Sequence, residues 1–270
     1  MSDLQKKLLN MMKDFHEFCE NNNIKYYVIG GTFLGAVRHK GFIPWDDDID
    51  IIIPRSDYNR LKSLEHKLPK NLELMTKGFK NEKGTFAYQK LVDRNTTLVE
   101  NINEKRILGI YIDIFPLDGA GKTFLGSKLR YYWIKSLVYV LWFNGNTQHN
   151  NKGLKSLIIK LSKIFDNRKI YEFISSQLEK VDWIESRYSG NFMGAYGFTE
   201  IIPTEIYGRP TLYKFEDTFF YGPENFHEFL KHIYGDKYGE LPPIERRVSH
   251  HEYEYINIHQ PFDEYYKSQN

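Results

Sequence analysis

The stretch that most limits how this chain can fold is "PWDDDIDIII", residues 44–53. Asp46, Asp47, Asp48 and Asp50 fall within five positions and run directly into a row of isoleucines. The β-branched run from Ile49 to Ile53, stopped by Pro54, predicts a strand. Side chains alternate across a strand, so Asp48 and Asp50 share one face. Asp46 joins them if the extended backbone reaches back that far, and Asp47 faces away. Ile49 and Ile51 then enter the opposite, buried layer. Carboxylates side by side on a strand repel, and a proton, a basic partner or a divalent cation has to offset them. Mg²⁺ fits, because it takes hard oxygen ligands and needs only one or two protein carboxylates beside substrate phosphates. Taken alone, the D-x-D spacing fits a solvated acidic turn equally well.

Two flanking features add to it. Upstream, "VIGGT" sets Gly30 and Gly31 at the end of a strand in "IKYYVIGG" and at the start of a short helix, Thr32 to Arg38. Bare backbone N–H groups at a helix start suit phosphate. Downstream, "ILGIYIDIFPLD" predicts a strand ending at Pro116, with Asp113 between Ile112 and Ile114. A carboxylate there is costly to bury without a cation or donors; a salt-bridged structural aspartate is the other reading. Asp118 reads as a turn residue. Strand, Gly-Gly helix start, D-x-D strand and a later strand with a third carboxylate together look like the nucleotidyltransferase fold.

The rest of the chain is consistent with one body around that core. Its 270 residues are 41% hydrophobic, enough for a core, and no clear linker divides them. The expected class is α/β (α+β): a single domain with a mixed-sheet core over about 1–118, a basic helical segment over about 122–183, and a return of short elements over 186–270. Helices are predicted over 4–20 and over 56–68, the latter capped by Ser56. "LELMTK", "FAYQKLV" and "TTLVE" predict strands. Cys19 is the lone cysteine, which excludes an internal disulfide and a cysteine-based zinc site. The start is charged and amphipathic without a signal-peptide core, and no apolar run nears the ~20 residues of a membrane span, so a cytoplasmic protein is expected.

Charge is unevenly spread. Residues 122–170 carry ten lysines and arginines against the single acid Asp166. Within them the spacing of Lys152, Lys155, Lys160, Lys163 and Lys169 predicts a basic amphipathic helix. Such a helix suits peripheral contact with an anionic membrane, at the inner face of the cell membrane, or simply a solvated basic face.

The ordered motifs "GTFLGAVRHKGFIPWDDDIDI", "KLVDRNTTL", "YIDIFPLDG", "YGRP", "YKFED" and "YGDKYGELPPIERRVSHH" run from about Ile24 to His251, and the chain resembles the LicD family. The resemblance implies a phosphocholine transferase of nucleotidyltransferase fold. A sugar hydroxyl would attack the phosphocholine phosphorus of CDP-choline and CMP would leave. The acceptor would be a teichoic-acid or other cell-surface glycan precursor, lipid-linked or soluble. Gly30, Gly31 and Thr32 match the family's glycine motif. Asp48 and Asp50 match its metal pair, for one or two Mg²⁺ ions, and Asp113 matches the third carboxylate, as shared ligand or as base. The cysteine-based zinc element of the related fukutin group has no counterpart.

Around these residues the expectations are more open. Arg38 either clamps the diphosphate or pairs with Asp46 or Asp47. Lys90 and Arg94 are further phosphate contacts. Trp45 is the first candidate for choline's quaternary ammonium, ahead of Tyr88, Tyr111 and Tyr196. His250 and His251 are expected to be structural or to orient substrate, and Arg246 or Arg247 to pair with the acidic site or an acceptor phosphate. The alternatives keep the fold and change the cargo to phosphoethanolamine or a sugar phosphate, or transfer a nucleotidyl group. A non-catalytic glycan- or nucleic-acid-binding module would leave the aspartates without a purpose, and no nucleic acid partner is expected.

Overall fold

The structure, a computed structural model, describes residues 1–77, 85–101, 105–145, 166–249 and 251–269. Strands in chain order are β1 (Tyr27–Val28), β2 (Asp50–Pro54), β3 (Leu72–Lys77), β4 (Thr85–Asp93), β5 (Thr97–Asn101) and β6 (Lys105–Leu108). They continue with β7 (Tyr111–Gly121), β8 (Tyr188–Gly190), β9 (Ile201–Pro203), β10 (Thr211–Phe215), β11 (Thr218–Gly222) and β12 (Tyr253–Asn257). The helices are α1 (Asp3–Asn21), α2 (Gly30–Arg38), α3 (Arg55–Leu64), α4 (Phe124–Gly145), α5 (Asn167–Leu178), α6 (Phe226–Tyr234) and α7 (Phe262–Gln269). This is the expected mixed α/β class.

The main sheet has the order β1-β2-β7-β4-β3, with β8 and β9 continuing from the far end of β7. Its one parallel pair is β2 with β7, and all its other pairs are antiparallel. Ile51, Ile52, Ile53, Ile112 and Ile114 have no exposed surface, as expected for a central parallel pair covered on both faces. The helix α1 starts in a capping box between Ser2 and Gln5 and buries Leu8, Met12, Phe15 and Cys19. A second, smaller core of Tyr131, Ile134, Ile174, Leu178 and Phe192 lies where α4 and α5 pack together. The strands β5, β6 and β12 form a separate sheet, so the last part of the chain pairs with its first half.

Several local expectations change. The strand expected over 107–118 is two, β6 and β7, in different sheets. The latter runs past Pro116 to Gly121. Asp113 donates its N–H to Ile49 O, so the odd residues of β7 bond to β2 and the even ones face β4. The β4 ladder ends at Ile114, so Pro116 turns its missing N–H toward an edge with no ladder bond to lose. Asp118 is therefore a buried strand residue and no turn. The helix α3 starts at Arg55, directly behind Pro54, with no side-chain cap from Ser56, and ends at Leu64 before a single 3₁₀ turn. The described parts of the basic segment are helical, while Lys152, Lys155, Lys160 and Lys163 lie outside the described residues. No helix among the described residues is long and apolar enough to cross a membrane.

Candidate active site

The site forms where α2 begins, beside the leading end of β2. Gly30 has φ +57°, a left-handed conformation that favours glycine. A Cβ on Gly30 would lie 3.0 Å from Asp50 Oδ2, and one on Gly31 would lie 2.5 Å from Asp46 Oδ2. The two glycines thus do more than present amides: they leave room for two carboxylates directly above the helix start. Thr32 Oγ1 accepts from the Asp50 N–H at 3.0 Å, and the Ile29 N–H donates to Asp50 O at 3.0 Å. These bonds fix the helix start against the aspartate strand.

The parallel register sets Asp113 alongside Asp50, and the antiparallel register sets Lys90 on β4 opposite Asp113. Lys90 Nζ donates to Asp113 Oδ1 at 2.5 Å and stands 3.5 Å from the centroid of the Tyr111 ring. The Tyr88 hydroxyl donates to Asp113 Oδ2 at 3.4 Å. Lys90 is only 4% exposed, so it is placed as the partner of Asp113. Arg94, the other expected phosphate contact, pairs with Glu73 at 3.6 Å.

Only Asp50 of the four clustered aspartates lies within a strand; residues 46–49 belong to no regular element, although Ile49 O accepts from the Asp113 N–H. They nonetheless converge as alternation predicts. Asp46 shares a hydrogen bond with Asp48, and burial together with the charges of Asp48 and Asp47 lifts Asp46 to about 8. Burial, then the neighbouring Asp48, Asp113 and Asp46, holds Asp50 well above the carboxylate range. Burial also raises Asp48 and Asp113, with Lys90 pulling Asp113 the other way. These are carboxylates crowded against one another and short of positive charge.

Asp47 takes different partners. It accepts from Ser249 Oγ at 2.6 Å and from His251 Nδ1 at 2.9 Å, while His251 Nε2 stands 3.9 Å from Asp48 Oδ2. The bond to Asp47 is the main cause that lifts His251 to about 9. Burial pushes Asp47 up, but its bonds from His251 and Ser249 outweigh this and leave it below its ordinary value. Besides Lys90, the basic partner of the acidic site is therefore His251. Arg247 instead donates to Pro242 O and covers the Trp45 ring at 5.6 Å, so the cation position on that ring is filled from within. The ion pair of Arg38 with Asp46 or Asp47 is not formed. Its Nη1 donates to Tyr238 O at 3.1 Å and Glu240 O at 2.9 Å, tying α2 to the C-terminal segment. His250 lies outside the described residues.

Among the described residues no group of three His, Cys, Asp or Glu side chains stands ready to hold a metal ion. The donor set is still suited to one: Asp48 and Asp50 are hard oxygen donors with raised protonation, and Asp113 already holds a cation in the form of Lys90. Beside Asp50 and Gly30 opens a cavity of about 90 Å³, walled by Ile52, Phe115, Tyr196, Tyr207 and Phe229, with Glu200 at its side. Tyr196 was among the ring candidates, but Glu200 carries no local sequence signal that would have singled it out. Ser249 and His251 were visible as a motif without a direction, because their partner lies 202–204 residues away.

Known proteins resemble this chain at the level of family. A family model described as LicD/FKTN/FKRP, nucleotidyltransferase domain, matches residues 23–142. The lipopolysaccharide cholinephosphotransferase LicD of Haemophilus influenzae is 30% identical over 269 residues, covering 93% of this chain and 96% of that protein. Two uncharacterised rickettsial proteins match locally. The one from Rickettsia prowazekii is 53% identical over 57 residues, 21% of each chain. The one from Rickettsia typhi is 58% identical over 50 residues, 18% of this chain and 16% of that protein.

Proposed function

The chain belongs to the LicD family, and from that premise we propose that it is a phosphotransferase that moves phosphocholine from CDP-choline to a hydroxyl of a cell-surface glycan precursor, such as a teichoic-acid or lipopolysaccharide intermediate. The observation that carries this reading is the register that sets Asp50 beside Asp113 over the Gly30–Gly31 helix start, with Asp48 in the same cluster.

Asp48 and Asp50 would hold one or two Mg²⁺ ions, which when bound would offset the charge of the diphosphate and of the leaving CMP. The N–H groups at the start of α2 face the same phosphates. Burial raises Asp113 and Lys90 pulls it back toward the ionised form, in which Asp113 can accept the proton of the acceptor hydroxyl or hold that hydroxyl in line. The acceptor oxygen bonds to phosphorus, the phosphorus–oxygen bond to CMP breaks, and the proton passes to Asp113. His251 holds Asp47 away from the reacting pair.

Incubation with CDP-choline, Mg²⁺ and a lipooligosaccharide or teichoic-acid precursor, with CMP release as readout, tests the reading. Asp50→Asn should lower turnover a hundredfold or more (~10²–10³ for losing one electrostatic group of a site). Turnover within twofold of wild type would remove Asp50 from the chemistry. Running CDP-ethanolamine and nucleotide sugars alongside tests the alternative cargoes, and product mass spectrometry separates phosphocholine transfer from nucleotidyl transfer.

We also propose that the enzyme works in the cytoplasm and meets a lipid-linked acceptor at the membrane surface through α4. Leu125, Leu129, Tyr132, Trp133 and Tyr139 on that helix are 44–66% exposed, in a chain segment with excess positive charge.

A further inference from the structure

We propose that the cavity beside Asp50, walled by Phe115, Tyr196, Tyr207 and Phe229 and closed by Glu200, is the subsite for the quaternary ammonium of the donor; this rests on the phosphocholine reading above. Among the described residues, the only charged side chains that line it are two acids, Asp50 and Glu200, and no lysine or arginine does. An apolar, ring-rich recess with acids and no base is built for a cation that brings no hydrogen-bond donors. At about 90 Å³ it is smaller than the ~150 Å³ cavity known to take a benzene ring. It therefore has no room for a nucleoside or a sugar.

The position fits the donor. Asp50 and Gly30 form one wall, so a head group seated there has its phosphate at the start of α2. The carboxylate is held in place: Glu200 Oε1 accepts from the Tyr196 N–H at 2.8 Å, and the side chain of Asn191 bonds it as well. The Tyr196 ring is fixed in turn by a bond between its hydroxyl and that of Tyr234 at 2.9 Å. Burial lifts Glu200 to about 7, so a docked cation would draw it into its ionised form. Glu200 already serves two donors, which leaves it little capacity for the three N–H bonds of a primary ammonium. The subsite should therefore favour choline over ethanolamine. Of the rings proposed from sequence alone, Tyr196 is a wall of this cavity and the other three are engaged elsewhere: Trp45 under Arg247, Tyr111 under Lys90, and Tyr88 packed on Phe115 at 4.2 Å.

Calorimetric titration of the full chain in Mg²⁺ with CDP-choline, CDP-ethanolamine and CDP tests this. In wild type, CDP-choline should bind at least tenfold more tightly than CDP, with CDP-ethanolamine between them. Glu200→Gln should weaken CDP-choline about tenfold and leave CDP unchanged. Ile233→Phe, which fills the cavity from α6, should do the same. Variants that change neither ligand, or weaken CDP as much as CDP-choline, overturn the subsite. A wild type that binds CDP-choline no better than CDP fails the donor reading itself, a different result from the variants' failure. Should Glu200→Gln melt well below wild type, Ile233→Phe decides by the same criterion.

Discussion

Arg55 forks onto Asp118 through two bonds, Nε to Oδ1 at 2.7 Å and Nη2 to Oδ2 at 2.6 Å, and both groups are withdrawn from water. Removing the guanidinium alone strands a buried carboxylate, which costs about 3–5 kcal/mol. Arg55→Met should therefore lower the melting temperature by roughly 10 °C. Adding Asp118→Leu should restore most of it, because the pair then vanishes together. A single variant that melts with wild type would remove the pair from the fold's support. Asp118 was unreadable from sequence for a physical reason: its partner is 63 positions away and is found only through the β2–β7 register. Asp50 and Asp113 were readable, because an acid between isoleucines carries its own local demand for compensation, and Asp48 through its place two residues from Asp50. What alternation could not supply was the compensation itself, Lys90 for Asp113 and His251 for Asp47.

At the scale of elements, the strand β2 and the start of α2 behave as one unit, joined by the Thr32 and Ile29 bonds to Asp50. Their order along the chain was legible from two glycines and a proline. Their boundaries were less so: α3 starts a residue before its expected cap, and β7 passes through a proline that sequence reads as a stop. Edge geometry, absent from any local window, decides the second case. Among the described residues the helix α4 leaves the most large apolar side chains in solvent, against Phe173 on α5 and Phe226 on α6. Liposome flotation checks its proposed role. Wild type should float with anionic vesicles, and Leu129→Glu with Trp133→Glu should reduce binding at least fivefold while CMP release on a water-soluble acceptor is kept. Equal flotation would assign that face to something other than lipid.

At the scale of the whole molecule, the site should make stability depend on pH and, with the proposed Mg²⁺, on metal. Asp46, lifted to about 8, holds a proton when folded that the unfolded chain gives up near 4. Its contribution therefore turns unfavourable as pH rises through that window. His251, lifted to about 9, contributes stability that is full below about 6.5 and lost as pH rises through 9. Both act in one direction. With chelator present, the melting temperature should fall between pH 6 and 9, and His251→Gln should flatten part of that fall. Mg²⁺ should raise the melting temperature more at pH 8.5 than at pH 5.5, because it favours the ionised carboxylates. A melting temperature that rises with pH in chelator, or a Mg²⁺ effect independent of pH, would contradict this.

The same clamp also has a schedule. Asp47 meets Ser249 and His251, and Arg38 meets Tyr238 and Glu240, so the front of the chain is completed by segments made some 200 residues later. At roughly 5–20 residues per second, a growing chain carries its acid cluster for about 10–40 s before His251 has been translated at all. Until then those carboxylates are solvated by water, because the burial that crowds them belongs to the finished fold. A chain truncated before Ser249 should therefore be cut by protease near residues 44–53 more readily than the full chain.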